Sequence, residues 1–85
     1  MHDSFLIHAL CRQVEEIALK ERATKVIRIV IEVGDLSHFT AEHMQDTFEI
    51  FRLASPLLRT AQLEFRGSNS GSDVMLRDVE LEIPD

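Results

Sequence analysis

The chain opens Met1-His2-Asp3, which places a chain amine, main-chain amide nitrogens and an imidazole within a few bonds of one another. Such a set can chelate a transition metal through nitrogen donors. In isolation a histidine at position 2 is an ordinary polar group on a frayed end, so the weight of this reading rests on the rest of the chain. His38 and His43 flank the start of a predicted second helix; two histidines without a carboxylate cluster make a poor metal site. His8 and Cys11 stand three residues apart on one side of a predicted first helix, as a base and a thiol could. Nothing nearby supplies an oxyanion hole or a pocket. Cys11 therefore reads as a small apolar residue at the core margin, at helical spacing from Val14 and Ala18, and His8 as a solvated or partner-facing group.

These groups sit in a chain of 85 residues with 45% apolar and 28% charged side chains and a formal net charge of -6. That composition is globular, and the length allows one domain with a thin core. The negative charge disfavours nucleic acid and anionic lipid as partners. No apolar run approaches the ~20 residues that span a bilayer, and the start lacks the basic and apolar regions of a signal peptide, so the expected location is cytoplasmic. A single cysteine excludes an intramolecular disulfide and a Cys-rich zinc cluster, so no zinc is expected in this chain.

The elements that must position the candidates follow from periodicity. Leu6, Leu10, Val14 and Ile17, with Ala9 and Ala18 beside them, recur at three- and four-residue steps and predict an amphipathic helix from Ser4 to about Arg22. Asp3 or Ser4 can cap its first N–H groups, while Lys20 and Arg22 suit the negative end of its dipole. A metal at residues 1–3 would then sit on a helix N-terminus, which disfavours a cation and requires anionic or strong nitrogen donors. Lys25 to Val33 predict a strand with Ile27, Ile29, Ile31 and Val33 on an apolar face and Val26, Arg28, Val30 and Glu32 on the other. Thr40 is an N-cap candidate for a second helix from about Ala41 to Ala54, with Phe39 and Met44 as a hydrophobic staple and Met44, Phe48 and Phe51 as its apolar stripe, broadened by Ile50 and Leu53.

A second strand is expected over Thr60 to Arg66, with Ala61, Leu63 and Phe65 inward, and a third over Val74 to Ile83. In the third, Val74 and Leu76 have the opposite parity to Val79 and Leu81. Either a bulge near Arg77 resets the register or the first half is covered on the other face. Between these strands, residues 67–73 contain no apolar side chain and read as a Gly/Ser-rich linker able to close an antiparallel hairpin. The order helix, strand, helix, strand, strand predicts a two-layer α+β domain, two helices covering one face of a three-stranded sheet.

The same segments resemble the HypA/HybF family of nickel metallochaperones, which mature hydrogenases and, in some bacteria, urease. Met1-His2-Asp3 stands where the family begins Met-His-Glu, Val14-Glu15-Glu16 lies in its first helix, and residues 31–37 look like its strand-to-loop signature. Thr47-Phe48-Glu49 matches its second-helix phenylalanine and Val79-Glu80-Leu81-Glu82 its closing strand. The family carries a zinc domain with two Cys-x-x-Cys pairs between the second and third strands; here residues 67–73 hold that position. The resemblance implies a single nickel-binding domain over residues 1–85 without that zinc domain. It implies Ni(II) held by His2 with the Met1 amine and backbone nitrogens around His2 and Asp3, where Asp3 replaces the family's Glu. Planar nitrogen chelation by deprotonated amides suits Ni(II) or Cu(II), which agrees with the residues themselves. It further implies a non-enzymatic delivery role with a HypB-type GTPase, a hydrogenase large-subunit precursor and, where urease is the client, urease accessory proteins as partners. A homodimer formed by strand exchange is left open by the unpaired edge strand. The alternative is a metal-independent protein-protein interaction module.

Overall fold

A computed structural model describes residues 3–34, 41–69, 71 and 73–84. Its elements are α1 (Asp3–Lys20), β1 (Lys25–Gly34), α2 (Ala41–Leu53), a single 3-10 turn (Pro56–Leu58), β2 (Gln62–Ser68) and β3 (Val74–Glu82). Both helices contribute to one apolar cluster with one face of the sheet, so the predicted two-layer α+β architecture and element order hold. Ile7, Val14, Met44, Phe48 and Leu58 are fully buried in it, each burial being worth roughly 1.5–3 kcal/mol. The 3-10 turn was not foreseen; Pro56 sets its first residue and Leu58 fills the core beneath the end of α2.

The sheet order is β2-β1-β3, with β1 parallel to β2 and antiparallel to β3. The expected β2–β3 hairpin is therefore incorrect. These strands lie on opposite edges, and the chain between them crosses the end of β1. Periodicity within each strand does not encode which strands are neighbours; the α2 crossover does, because it returns the chain parallel to β1.

Gly34 is where the crossing happens. Its N–H donates to the Asp73 carbonyl at 2.7 Å, and a Cβ there would lie 2.1 Å from the Gly71 oxygen and 3.0 Å from that of Asp73. Only a residue without a side chain lets the connection pass so close. Gly71 itself takes a left-handed φ of 76°.

Two bulges decide which side chains enter the core. Val30 pairs with Asp78 and Ile31 with Leu76, leaving Arg77 as an extra residue on β3. Val74, Leu76, Val79 and Leu81 consequently all pack on the core, which selects the bulge over coverage on the other face. On β1, Val26 pairs with Leu81 and Arg28 with Glu80, so Ile27 is the unpaired residue. The expectation that Ile27 joins Ile29 and Ile31 inside is thereby corrected: Ile27 is 36% exposed and Val26 is fully buried in its place. A bulge shifts the alternation by one residue, so parity read through it inverts.

On the opposite face Val30 is buried outside that cluster, between its register neighbours Glu64 and Asp78. Arg28 bonds Glu64 at 3.0 Å and approaches Glu80 at 3.5 Å, while Arg77 approaches Glu32 at 3.8 Å. The aliphatic stems of these side chains cover apolar surface while their heads stay in water.

At the far end of α1 the chain turns by a Schellman arrangement. The Ala23 N–H donates to the Ala18 carbonyl at 2.9 Å and the Arg22 N–H to that of Leu19 at 3.1 Å, with Arg22 at φ 58°. The predicted Phe39–Met44 staple and the Thr40 cap involve residues outside the described set, as do the Asp3 and Ser4 side chains proposed as caps for α1.

Candidate metal centre

The geometry of the candidate site follows from chain direction. An 18-residue helix is about 27 Å long and a 10-residue strand about 33 Å. Only four residues join α1 to β1, and the molecule's longest extent is 41 Å, so α1 must fold back antiparallel to β1. Because β2 runs parallel to β1, α2 also returns antiparallel to β1. The two helices are thus parallel to each other. Their N-termini, the C-terminal end of β1 at Gly34 and the crossing connection at Gly71 and Asp73 share one end of the domain.

Asp3 is the first residue of α1, so Met1 and His2 attach at that end. Met1, His2 and His38 themselves lie outside the described residues, and of Asp3 only the main chain is described. His43 is exposed in the first turn of α2, at the same end. Among the described residues no three His, Cys, Asp or Glu side chains lie close enough together to hold a metal ion. Two helix N-termini facing one end make it unfavourable for a bare cation. Glu42, in the first turn of α2, offsets this in part.

His8 and Cys11 do not form a thiol–base pair. Cys11 is 3% exposed, and burial, with a smaller contribution from the Glu15 carboxylate, pushes its thiol up to about 12. Such a thiol is protonated and inert at neutral pH. His8 instead turns outward and meets the Phe51 ring edge-on, with centroids 5.0 Å apart. Between the helices this pair lines a shallow groove of about 560 Å³ with Phe5, Ala9, Arg12 and Glu15. The groove continues past Ile50 and Ala54 to Ser55. The buried Ser55 hydroxyl closes its far end, donating to Glu15 Oε2 at 2.5 Å.

Sequence reasoning placed Glu15 only by its likeness to a family segment; its role in holding α1 to the end of α2 needs the tertiary fold. The groove was likewise missed. The expectation that Ile50 and Leu53 widen the buried stripe of α2 is corrected, since each is 72% exposed; the available signal for the groove was the apolar character of Phe5 and Ile50. Both are largely exposed, at 66% and 72%.

Arg52 holds the other side of α2. Its Nε donates to Glu49 Oε1 at 2.9 Å, and its Nη1 donates to the Arg59 and Ala61 carbonyls at 3.0 and 3.4 Å. It also lies 6.0 Å over the Phe48 ring. This one guanidinium joins α2 to the segment that leads into β2. No described helix is long and apolar enough to cross a membrane.

Residues 1–80 match the sequence model of a family described as hydrogenase/urease nickel incorporation, metallochaperone, hypA. The hydrogenase maturation factor HypA of Wolinella succinogenes is 24% identical over 86 aligned positions, covering 94% of this chain and 72% of that protein. HypA of Shewanella baltica is 33% identical over 66 positions, covering 78% of this chain and 56% of that protein. The chain thus spans only about half of the Shewanella relative. The fold is similar to the solution structure of the Ni metallochaperone HypA from Helicobacter pylori, with a TM-score of 0.89 at 20% identity over 99% of this chain and 100% of that one. A second HypA solution structure superposes with a TM-score of 0.70 at 26% identity, covering 92% of this chain and 71% of that one.

Proposed function

Since the chain belongs to the HypA family of hydrogenase/urease nickel-incorporation metallochaperones, we propose that it captures Ni(II) at its own N-terminus for delivery to a nickel-enzyme precursor. The ligands are the Met1 amine, the His2 imidazole and the backbone nitrogens around His2 and Asp3. The observation that carries this reading is the coincidence of that nitrogen-rich start with a family match extending from residue 1. Nickel is cargo here, and no bond is made or broken in the client by this domain, so we assign no catalysis.

The donor set fits the ion. Deprotonated amide nitrogens supply the negative charge that the dipole of α1 demands, and imidazole and amide donors favour tetragonal Ni(II) or Cu(II). Copper binds such donors at least as strongly, so preference for nickel arises from availability and from the partner. Asp3 contributes through its main-chain nitrogen, which the change from the family's Glu leaves in place.

Delivery uses a GTPase of the HypB type, with a hydrogenase large-subunit precursor as client and urease accessory proteins where urease is matured. Residues 67–73 occupy the position of the family's zinc domain, and the support for this is their place between β2 and β3. Recognition supplied by that domain is then missing from this chain, so nickel capture persists where delivery is impaired.

Calorimetric titration of protein that starts at Met1 is expected to show about one Ni(II) bound, and His2→Ala to abolish the uptake. Undiminished binding by His2→Ala would refute the assignment. The second reading, a metal-independent interaction module, is favoured by the exposed apolar groove at Phe5 and Ile50. Retained GTPase binding by His2→Ala, together with its loss in Phe5→Ser, would support that reading.

A further inference from the structure

We propose that the groove between α1 and α2 docks one amphipathic helix of a partner protein, antiparallel to both, with a carboxylate near its N-terminus on Arg12 and a cation near its C-terminus on Asp46. This deepens the interaction reading of the groove given above and does not depend on where nickel binds.

The walls decide that the occupant is a helix. Both are α-helices whose main-chain N–H and C=O groups are spent on their own turns, so the lining is made of side chains, with Phe5, Ala9 and Arg12 on α1 and Ile50, Phe51 and Ala54 on α2. An extended segment laid there would leave the backbone groups on its buried side unpaired. A helix brings its own bonds and needs only an apolar stripe at three- and four-residue steps. Phe5 and Ile50, with Leu53 one turn further along α2, are 66%, 72% and 72% exposed, and that stripe would cover them.

Charge fixes the direction. Arg12 makes no ion pair among the described residues, whereas Arg28, Arg52, Arg66 and Arg77 each lie against a carboxylate. Asp46 is exposed and stands four residues before Ile50, on the same wall of the groove. The rings of His8 and Phe51 are in contact and mark a common level of the two parallel helices. Arg12 lies four residues past that level, about 6 Å, and Asp46 five residues before it, about 7.5 Å. The two charges are thus about 13.5 Å apart along the groove, on opposite walls.

About nine helical residues span that distance and turn through about 900°, so two residues at this spacing fall on opposite flanks of one apolar stripe. A carboxylate and a cation so placed meet Arg12 and Asp46 together. Dipoles select their order. α1 and α2 both begin at the Asp46 end, and their positive N-termini favour the negative C-terminus of the occupant there. The occupant's own dipole places an acidic residue best in its first turn and a basic one in its last.

The test is NMR titration of the full chain with a synthetic peptide of about 14 residues, lactam-bridged to hold the helix, carrying a leucine stripe flanked by an N-terminal Glu and a C-terminal Lys about nine positions apart. Its controls are the same peptide with Glu and Lys exchanged and a scrambled peptide of the same composition with no apolar stripe. The first peptide is expected to shift the signals of Phe5, Ile50 and Ala54 and to bind about tenfold more tightly than the exchanged one, and the scrambled peptide not to bind. Ile50→Ser should weaken binding about tenfold or more, and Arg12→Glu combined with Asp46→Lys should reverse the preference between the two striped peptides. Arg12, Asp46 and Ile50 are exposed, so thermal melts of these variants should match the unmodified protein. Equal binding of the exchanged or scrambled peptide, shifts confined to another face, or no binding of any peptide overturns the helix inference. Loss of GTPase binding in Phe5→Ser would then leave the interaction reading of the groove standing without it, and retained GTPase binding in Phe5→Ser would remove both.

Discussion

The two ends of this domain are built for different tasks. At the end where α1 turns into β1, each chain reversal is tied by specific bonds. The Schellman turn closes α1, and Thr24 is bound to Glu82 through its N–H at 2.8 Å and its hydroxyl at 2.8 Å to the carboxylate. Nearby, Ser55 bonds Glu15 and Arg52 gathers the approach to β2. At the opposite end, both helices begin, β1 finishes and the crossing connection passes over Gly34. That end carries the candidate ligands, and its crossing connection passes close over the bare main chain of Gly34. Thus, stability and metal capture should respond to different substitutions.

The largest effect is expected where the two tasks meet. Gly34→Val places carbon atoms where the Gly71 backbone now lies, so the connection must shift. A loss of about 3 kcal/mol, read as a lower denaturation midpoint, should be accompanied by weaker nickel uptake. Unchanged stability would show that the crossing is loosely held.

At the tied end, Arg52→Ala should cost about 2 kcal/mol, since it removes the bonds to the Arg59 and Ala61 carbonyls and to Glu49 Oε1 together. Its nickel affinity should equal that of the unmodified protein. Equal losses of stability and affinity would mean that the two ends are not separable. A gain is expected from Arg22→Gly, because Arg22 holds a left-handed φ of 58° that costs a residue with a Cβ about 1 kcal/mol. A small rise in melting temperature with unaltered nickel binding checks it.

A further effect, confined to alkaline pH, is a pH slope. The Cys11 thiol is raised from 9.0 to about 12 in the folded chain, so between those values the unfolded state loses a proton that the folded state keeps. Stability from this group is full below pH 9 and declines as pH rises toward 12. Cys11→Ala should flatten that decline, and alkylation of Cys11 at neutral pH should proceed only through unfolding. Rapid alkylation of the native protein would contradict the burial.

Much of the fold was legible because its signals are local. Leu10 and Val14 on α1, Phe48 on α2 and Leu63 on β2 announced their buried faces by period alone. The parity break between Leu76 and Val79 narrowed the third strand to two arrangements, of which the register at Arg77 selects the bulge. Ile27 was misplaced because its bulge leaves no such break: Val26 and Ile27 are both apolar, and only pairing with Leu81 and Glu80 reveals which one turns inward. The hairpin was misplaced because a Gly/Ser-rich connection looks the same whether it joins neighbours or crosses a strand.

The sequence by itself determined the element order, most of the core faces and the family, since each is written in short-range pattern or in residue identity. The tertiary structure decided the strand order, the burial of Val26 over Ile27, the roles of Glu15 and Arg52, and the parallel course of α1 and α2. Those depend on register and chain direction, which arise from contacts between distant residues. No local period records that His43 and the start of α1 belong to the same end.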